Sequence, residues 1–130
     1  MTAHADELVL IVDDNDLNLR LARDVLRHAG LRTLEARSGL EAIELAGETS
    51  PTVVLMDVRL PDMDGIAALD HLRSDARTAD IPVVALTAFA MMGDRERFLG
   101  LGFDGYLEKP ITVRTFPDEV AAFIRRREGG

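Results

Sequence analysis

Five residues of this chain are placed to do chemistry together: Asp13, Asp14, Asp57, Thr87 and Lys109. Each stands at the end of a short apolar run. LVLIV (8–12) runs into Asp13 and Asp14, and TVVLM (52–56) stops at Asp57. PVVALTA (82–88) carries Thr87 near its end, and GYLEK (105–109) ends in Lys109, followed by Pro110. Three carboxylates drawn to one place raise one another's pKa or recruit a cation. Their hard oxygens suit Mg²⁺, which takes one or two carboxylates plus waters and phosphate oxygens. An ammonium and a hydroxyl beside a metal point to an added anion such as a phosphoryl group, whose oxygens they would neutralise or hydrogen-bond. An aspartate can itself be the nucleophile of phosphoryl transfer, forming an aspartyl-phosphate. Asp57, which ends a core strand, is the candidate acceptor. Each residue alone has a plainer reading. Asp57 would be a turn former or helix cap, Asp13 and Asp14 helix caps, Thr87 a strand residue and Lys109 a solvated lysine. Turn chemistry does not explain their recurrence at four strand ends.

The elements that must position them alternate along the chain. Strands are expected at 8–12, 32–36, 52–56, 82–88 and 105–109; most read as continuous apolar runs, the pattern of strands buried on both faces. Helices are expected at 16–30, 38–47, 65–75, 93–102 and 115–127. In the first, Leu17, Leu21, Val25 and Ala29 are expected to share the apolar face, with Ala22 and Leu26 beside them and Leu19 off its centre. In the second, Ser38 and Glu41 form a capping-box pattern, ahead of an apolar face of Leu40, Ile43 and Ala42 or Ala46. Pro117 sits in the first turn of the last helix, where its missing N–H costs nothing. Five strands alternating with five helices predict an α/β fold: a five-stranded parallel sheet, doubly wound through right-handed crossovers. Sites in such sheets form beyond the carboxyl ends of the strands, near the topological switch point.

The chain has 130 residues, 47% apolar and 29% charged, which suits one globular domain spanning 1–130. A net charge of -8 argues against direct nucleic-acid binding and favours basic partners or divalent cations. There is no cysteine, hence no disulfide, thiolate metal site or thiol catalysis. MTAHADE at the N-terminus lacks an apolar signal core, and no run approaches membrane-spanning length. A soluble, cytoplasmic protein without membrane insertion is expected.

VDDND (12–16), LMDVRLPDMDG (55–65), VVALTA (83–88) and YLEKPI (106–111) together resemble the receiver domain of bacterial two-component response regulators. The resemblance covers about residues 7 to 127, and each motif falls on the expected strand end. TAFAMMGDRER (87–97) and VDDNDLNLRL resemble small single-domain receivers, without an effector domain. The resemblance implies a flavodoxin-like (βα)5 fold with strand order 2-1-3-4-5. It implies Asp57 as phosphoacceptor, Asp14 as a direct ligand of Mg²⁺ (or Mn²⁺), Asp13 acting largely through water, and the backbone carbonyl of Arg59 as a further ligand. It implies that Thr87 hydrogen-bonds the phosphoryl group, that Lys109 pairs with it, and that the bond before Pro110 is cis. Thr87 and Tyr106 would form the conformational switch, and Arg59 and Phe89 would tune the lifetime of the phosphoryl group.

The implied partners are a sensor histidine kinase or histidine phosphotransferase, docking on the first helix, and a downstream protein target, docking on the fourth helix, fifth strand and fifth helix. Leu19, Leu99, Leu101, Met91 and Met92 are candidate docking residues, with ordinary surface exposure as the plainer account. RRREGG (125–130) reads as a solvated helix end. A Mg²⁺-dependent phosphohydrolase with an aspartyl-phosphate intermediate is the alternative. Arg59 stands where such enzymes commonly carry a second aspartate, so the chain reads as a signalling domain rather than an enzyme. A constitutive interaction module is the other alternative, though no phosphorylation residue is missing. A flavin carrier is disfavoured, because this chain has no phosphate loop after its first strand and no suitably placed aromatic to stack on a flavin.

Overall fold

The computed structural model describes residues 7–88 and 94–128. Five strands, β1 (Leu8–Val12), β2 (Arg32–Ala36), β3 (Val53–Asp57), β4 (Val83–Thr87) and β5 (Gly105–Glu108), alternate with five helices, α1 (Asp16–His28), α2 (Gly39–Thr49), α3 (Gly65–Ser74), α4 (Asp94–Leu101) and α5 (Phe116–Glu128). The strands form one parallel sheet in the order β2-β1-β3-β4-β5. β3 and β4 are buried at every position, which is why their sequences are unbroken apolar runs.

Strand alternation sends side chains to two cores. Leu10, Val12, Val54, Met56, Val83 and Ala85 pack against α2, α3 and α4. Val9, Ile11, Val53, Leu55, Val84 and Leu86 pack against α1 and α5. The order reverses between β1 and β3, so the switch point lies where Asp13, Asp14 and Asp57 emerge.

α1 turns a different face to the core than its spacing suggested. Leu19, Ala22 and Leu26 are buried, whereas Leu17 is 72% and Leu21 40% exposed. The expected series stepped by four residues throughout, and each such step drifts about 40° around the helix. Steps of three and four, as in 19, 22 and 26, hold one stripe. Leu19 is therefore a core residue and not a docking candidate. Leu40 of α2 is likewise exposed, and Ala42 and Ala46 fill the core beneath it. Ser38 caps α2 by accepting from the Glu41 N–H, but Glu41 reaches back to the Arg37 N–H, one residue earlier than a capping box requires. On α4, Phe98 is buried and Leu99 and Leu101 are exposed. Met91, Met92, the 1–6 segment and the arginines of 125–130 lie outside the described residues or side chains.

Candidate functional site

Asp13 and Asp57 are held by the same local device. Asp13 Oδ1 accepts the Asn15 N–H (2.9 Å), and Asp57 Oδ1 accepts the Arg59 N–H (3.0 Å). Each is an aspartate bonded to its own backbone two residues on. That bond leaves Oδ2 of both residues turned to the same cation: Lys109 Nζ lies 2.7 Å from Asp13 Oδ2 and 2.9 Å from Asp57 Oδ2. Asn18, one helical turn past Asn15, also donates to Asp13 Oδ2, at 3.3 Å. Asp14 is exposed beside them, and ligand oxygens of Asp13, Asp14 and Asp57 all lie within 4.8 Å of one another.

The helix-cap reading of these acids does not hold. Asn15 caps α1, accepting from Asn18 N–H, and Asp64 caps α3, accepting from Ala67 N–H. Asp13, Asp14 and Asp57 are released from that work. The chain can start α3 so close to Asp57 because residue 65 is glycine: a β-carbon there would lie 2.6 Å from the Asp57 carbonyl oxygen.

Burial dominates the electrostatics. It raises the pKa of Asp57, with the Arg59 N–H and Lys109 opposing it and the Asp13 charge adding to it. Burial also works to lower the Lys109 pKa, but its hydrogen bonds to Asp13 and Asp57 outweigh this and hold it above the ordinary lysine value. The two directions agree physically. One ammonium is shared by two acids, so the lysine gains two partners while Asp57 receives only part of one charge. Three carboxylates draw on one ammonium, and its two short contacts reach only Asp13 and Asp57. A divalent cation with oxygen preference fits both that charge and that donor set.

The site opens into a cleft of about 460 Å³, lined by the three aspartates, Lys109, Thr87 and Arg59, and also by Asn15, Asn18, Arg97 and Phe98. Sequence reading did not single out Asn18 or Arg97. For Asn18 the signal was its place in the first turn of α1, just after the Asp13–Asp14 pair; for Arg97, on α4, there was none. Thr87 is buried at the end of β4. Phe89 lies outside the described residues. The Lys109–Pro110 bond is cis. Tyr106 is half-buried and does not line this cleft. It packs near Phe98, ring centroids 6.1 Å apart, and borders a separate cleft of about 540 Å³ between α4, β5 and α5. That cleft is larger, but the carboxylates are in the smaller one. Register pairs Ala85 with Tyr106, and alternation puts Thr87 on the same sheet face as Ala85, so Thr87 and Tyr106 share the face covered by α4.

Residues 9–121 match the family model described as response regulator receiver domain. The chain is 43% identical over 116 residues to the polar-differentiation response regulator DivK of Brucella ovis, covering 89% of this chain and 94% of that protein. DivK of Brucella anthropi is 42% identical over the same coverage. Among solved structures, the receiver domain of the sensor histidine kinase PA1611 from Pseudomonas aeruginosa, with a magnesium ion in its active-site cleft, superposes with TM-score 0.80 at 33% identity, covering 95% of this chain and 98% of that one. The Vibrio cholerae chemotaxis protein CheY4 superposes with TM-score 0.83 at 25% identity, covering 90% and 98%.

Proposed function

The chain belongs to the response regulator receiver domain family, and from that premise we propose that Asp57 accepts a phosphoryl group from a phosphohistidine protein, with Mg²⁺ held at the Asp13, Asp14 and Asp57 oxygens and the Arg59 carbonyl. The observation that carries this is the Lys109 ammonium bridging Asp13 and Asp57 within a cluster of three carboxylates. A bound divalent cation would supply charge neutralisation for the transferring group.

The residues of the chain do the rest. Asp57 Oδ1 is fixed by the Arg59 N–H, and Oδ2 by Lys109. A carboxylate oxygen of Asp57 forms the new P–O bond as the P–N bond of the donor breaks, and the bonding pair leaves with the imidazole nitrogen. Lys109 then turns from carboxylate to phosphoryl oxygen, and the Thr87 hydroxyl donates to another. Drawing Thr87 inward changes the packing of the face it shares with Tyr106. That makes the pair the output switch, read by a downstream protein target at α4, β5 and α5. Arg59, at the mouth of the cleft, governs with Phe89 how readily water reaches the phosphoryl group. A sensor histidine kinase or histidine phosphotransferase is the donor, and the setting is cytoplasmic. Among the described residues no helix is long and apolar enough to cross a membrane.

The test is intact mass after incubation with a small-molecule phosphodonor, run with Mg²⁺, with chelator, and on Asp57→Asn. One added phosphoryl group that requires both Mg²⁺ and Asp57 is expected. An unmodified wild type, or modification that persists in Asp57→Asn, overturns the assignment.

A further inference from the structure

The loop 58–64, which joins β3 to α3, is hooked onto the amino end of α2. Asp62 in that loop accepts the Gly39 N–H on Oδ1 (2.8 Å) and the Leu40 N–H on Oδ2 (2.9 Å). These are two of the N–H groups that the first turn of a helix leaves without an internal partner. Ser38 satisfies the next, from Glu41. α2 is therefore capped half by its own sequence and half by a residue 22–23 positions later. Met63 covers Gly39 so closely that a β-carbon at residue 39 would run into its side chain. The root of the loop is closed too, by the Gly65 N–H on the Val58 carbonyl (2.7 Å) and by the bridge between Arg59 and Asp64. Arg59 is part of this root, three residues before the hooked Asp62, and its own N–H holds Asp57 Oδ1.

Ordinary N-caps come from the residue that immediately precedes the helix. A remote cap using both carboxylate oxygens also fixes the remote loop, and this loop carries the backbone that holds the acceptor. We propose that Asp62 is a positioning residue for the cation site: by tying its loop to α2 it sets the Arg59 backbone against the Asp13–Asp14–Asp57 cluster, and so sets the affinity for a divalent cation. This rests on the reading above that the cluster takes Mg²⁺. Asp62 bonds the Gly39 and Leu40 amides rather than the cluster or Lys109, and acts through Arg59.

Calorimetric titration of Mg²⁺ into metal-free wild type, Asp62→Ala and Ser38→Ala tests it. Ser38→Ala removes the other half of the α2 cap without touching the loop. Outer partners of metal ligands typically set affinity by about ten-fold or more. Asp62→Ala is expected to weaken Mg²⁺ binding roughly ten-fold, and Ser38→Ala to leave it nearly unchanged. By reciprocity, Mg²⁺ should slow hydrogen exchange at the Gly39 and Leu40 amides of wild type and not in Asp62→Ala. Equal losses in both variants, or none in Asp62→Ala, overturn the proposal and leave Asp62 a helix cap. A flat titration of wild type overturns the Mg²⁺ reading itself and this inference with it. Should Asp62→Ala fail to fold, Asp62→Asn keeps one acceptor oxygen and is expected to show an intermediate loss; wild-type affinity in that variant overturns the proposal.

Discussion

At the scale of single residues, the division of labour between carboxylate oxygens decides what Asp57 can do. One oxygen is spent on a backbone N–H that fixes the side chain, and the other meets an ammonium already shared with Asp13. The carboxylate is thus held in place but under-compensated, which suits a nucleophile waiting for a cation and works against the stability of the metal-free protein. The sign follows from the raised pKa of Asp57, caused first by burial. A carboxyl group whose folded value is raised favours the native state while protonated, and that contribution is lost as pH rises through the raised value. Asp57 is therefore a net cost at neutral pH without metal. Asp57→Asn keeps an oxygen for Lys109 and removes the charge. In chelator it is expected to melt above wild type at pH 7, with the difference shrinking as pH falls toward the ordinary carboxylate range. Thermal melts across that range check this, and a neutral-pH Tm below wild type would contradict the electrostatic account. Adding Mg²⁺ should stabilise wild type more than the variant, because a ligand stabilises the native state according to its affinity.

At the scale of elements, α1 shows where energy and pattern part company. Leu19 is 1% exposed in a core with Leu26, Phe116 and Ile124, whereas Leu17 is 72% exposed. Leu19→Ala is expected to cost about 2–5 kcal/mol, and Leu17→Ala to stay within about 0.5 kcal/mol. Urea unfolding curves for the two variants check this, and a comparable loss in both would mean that α1 sits rotated from the face described. β1, β3 and β4 were legible because burial on both faces writes an uninterrupted apolar run, and no neighbour in space is needed to recognise one. Asp13, Asp14, Asp57, Thr87 and Lys109 were legible for the same reason, since a parallel sheet brings strand ends together whatever the loops do. The face of α1 was less so: six apolar residues in one helix, Leu17 to Leu26, admit more than one stripe, and only the shape of the sheet surface selects between them. The hook of Asp62 on α2 and the place of Arg97 in the cleft were not legible at all. Each depends on the relative placement of segments far apart in sequence, which no local pattern encodes.

At the scale of the whole molecule, the two rims of the sheet do different work. The carboxyl rim carries the acids, Lys109 and Thr87, with a charge deficit that burial makes costly. The amino rim of β4 and β5 is tied by one arginine. Arg73 of α3 donates to the carbonyls of Ala79 (3.0 Å), Ile81 (2.7 Å) and Gly102 (3.2 Å), and pairs with Asp104 at 2.9 Å. Asp104 in turn accepts the Val83 N–H, at the first residue of β4. One planar guanidinium thus joins α3, the approach to β4 and the turn between α4 and β5, at the end of the sheet away from the chemistry. Lysine cannot repeat this, because a single ammonium does not present the spread of donors that reaches all four acceptors. Hydrogen bonds of this kind contribute about 0.5–1.5 kcal/mol each, and water will replace part of them because the Arg73 side chain is 28% exposed. Arg73→Ala is therefore expected to lose about 2 kcal/mol of stability, with Arg73→Lys recovering less than half. Both should still accept one phosphoryl group at Asp57 in Mg²⁺, since no site residue depends on the clamp. Denaturant unfolding gives the first quantity and intact mass the second. Unchanged stability would mean the clamp is idle, and loss of phosphorylation in a folded Arg73→Ala would mean that the two rims are coupled through the sheet.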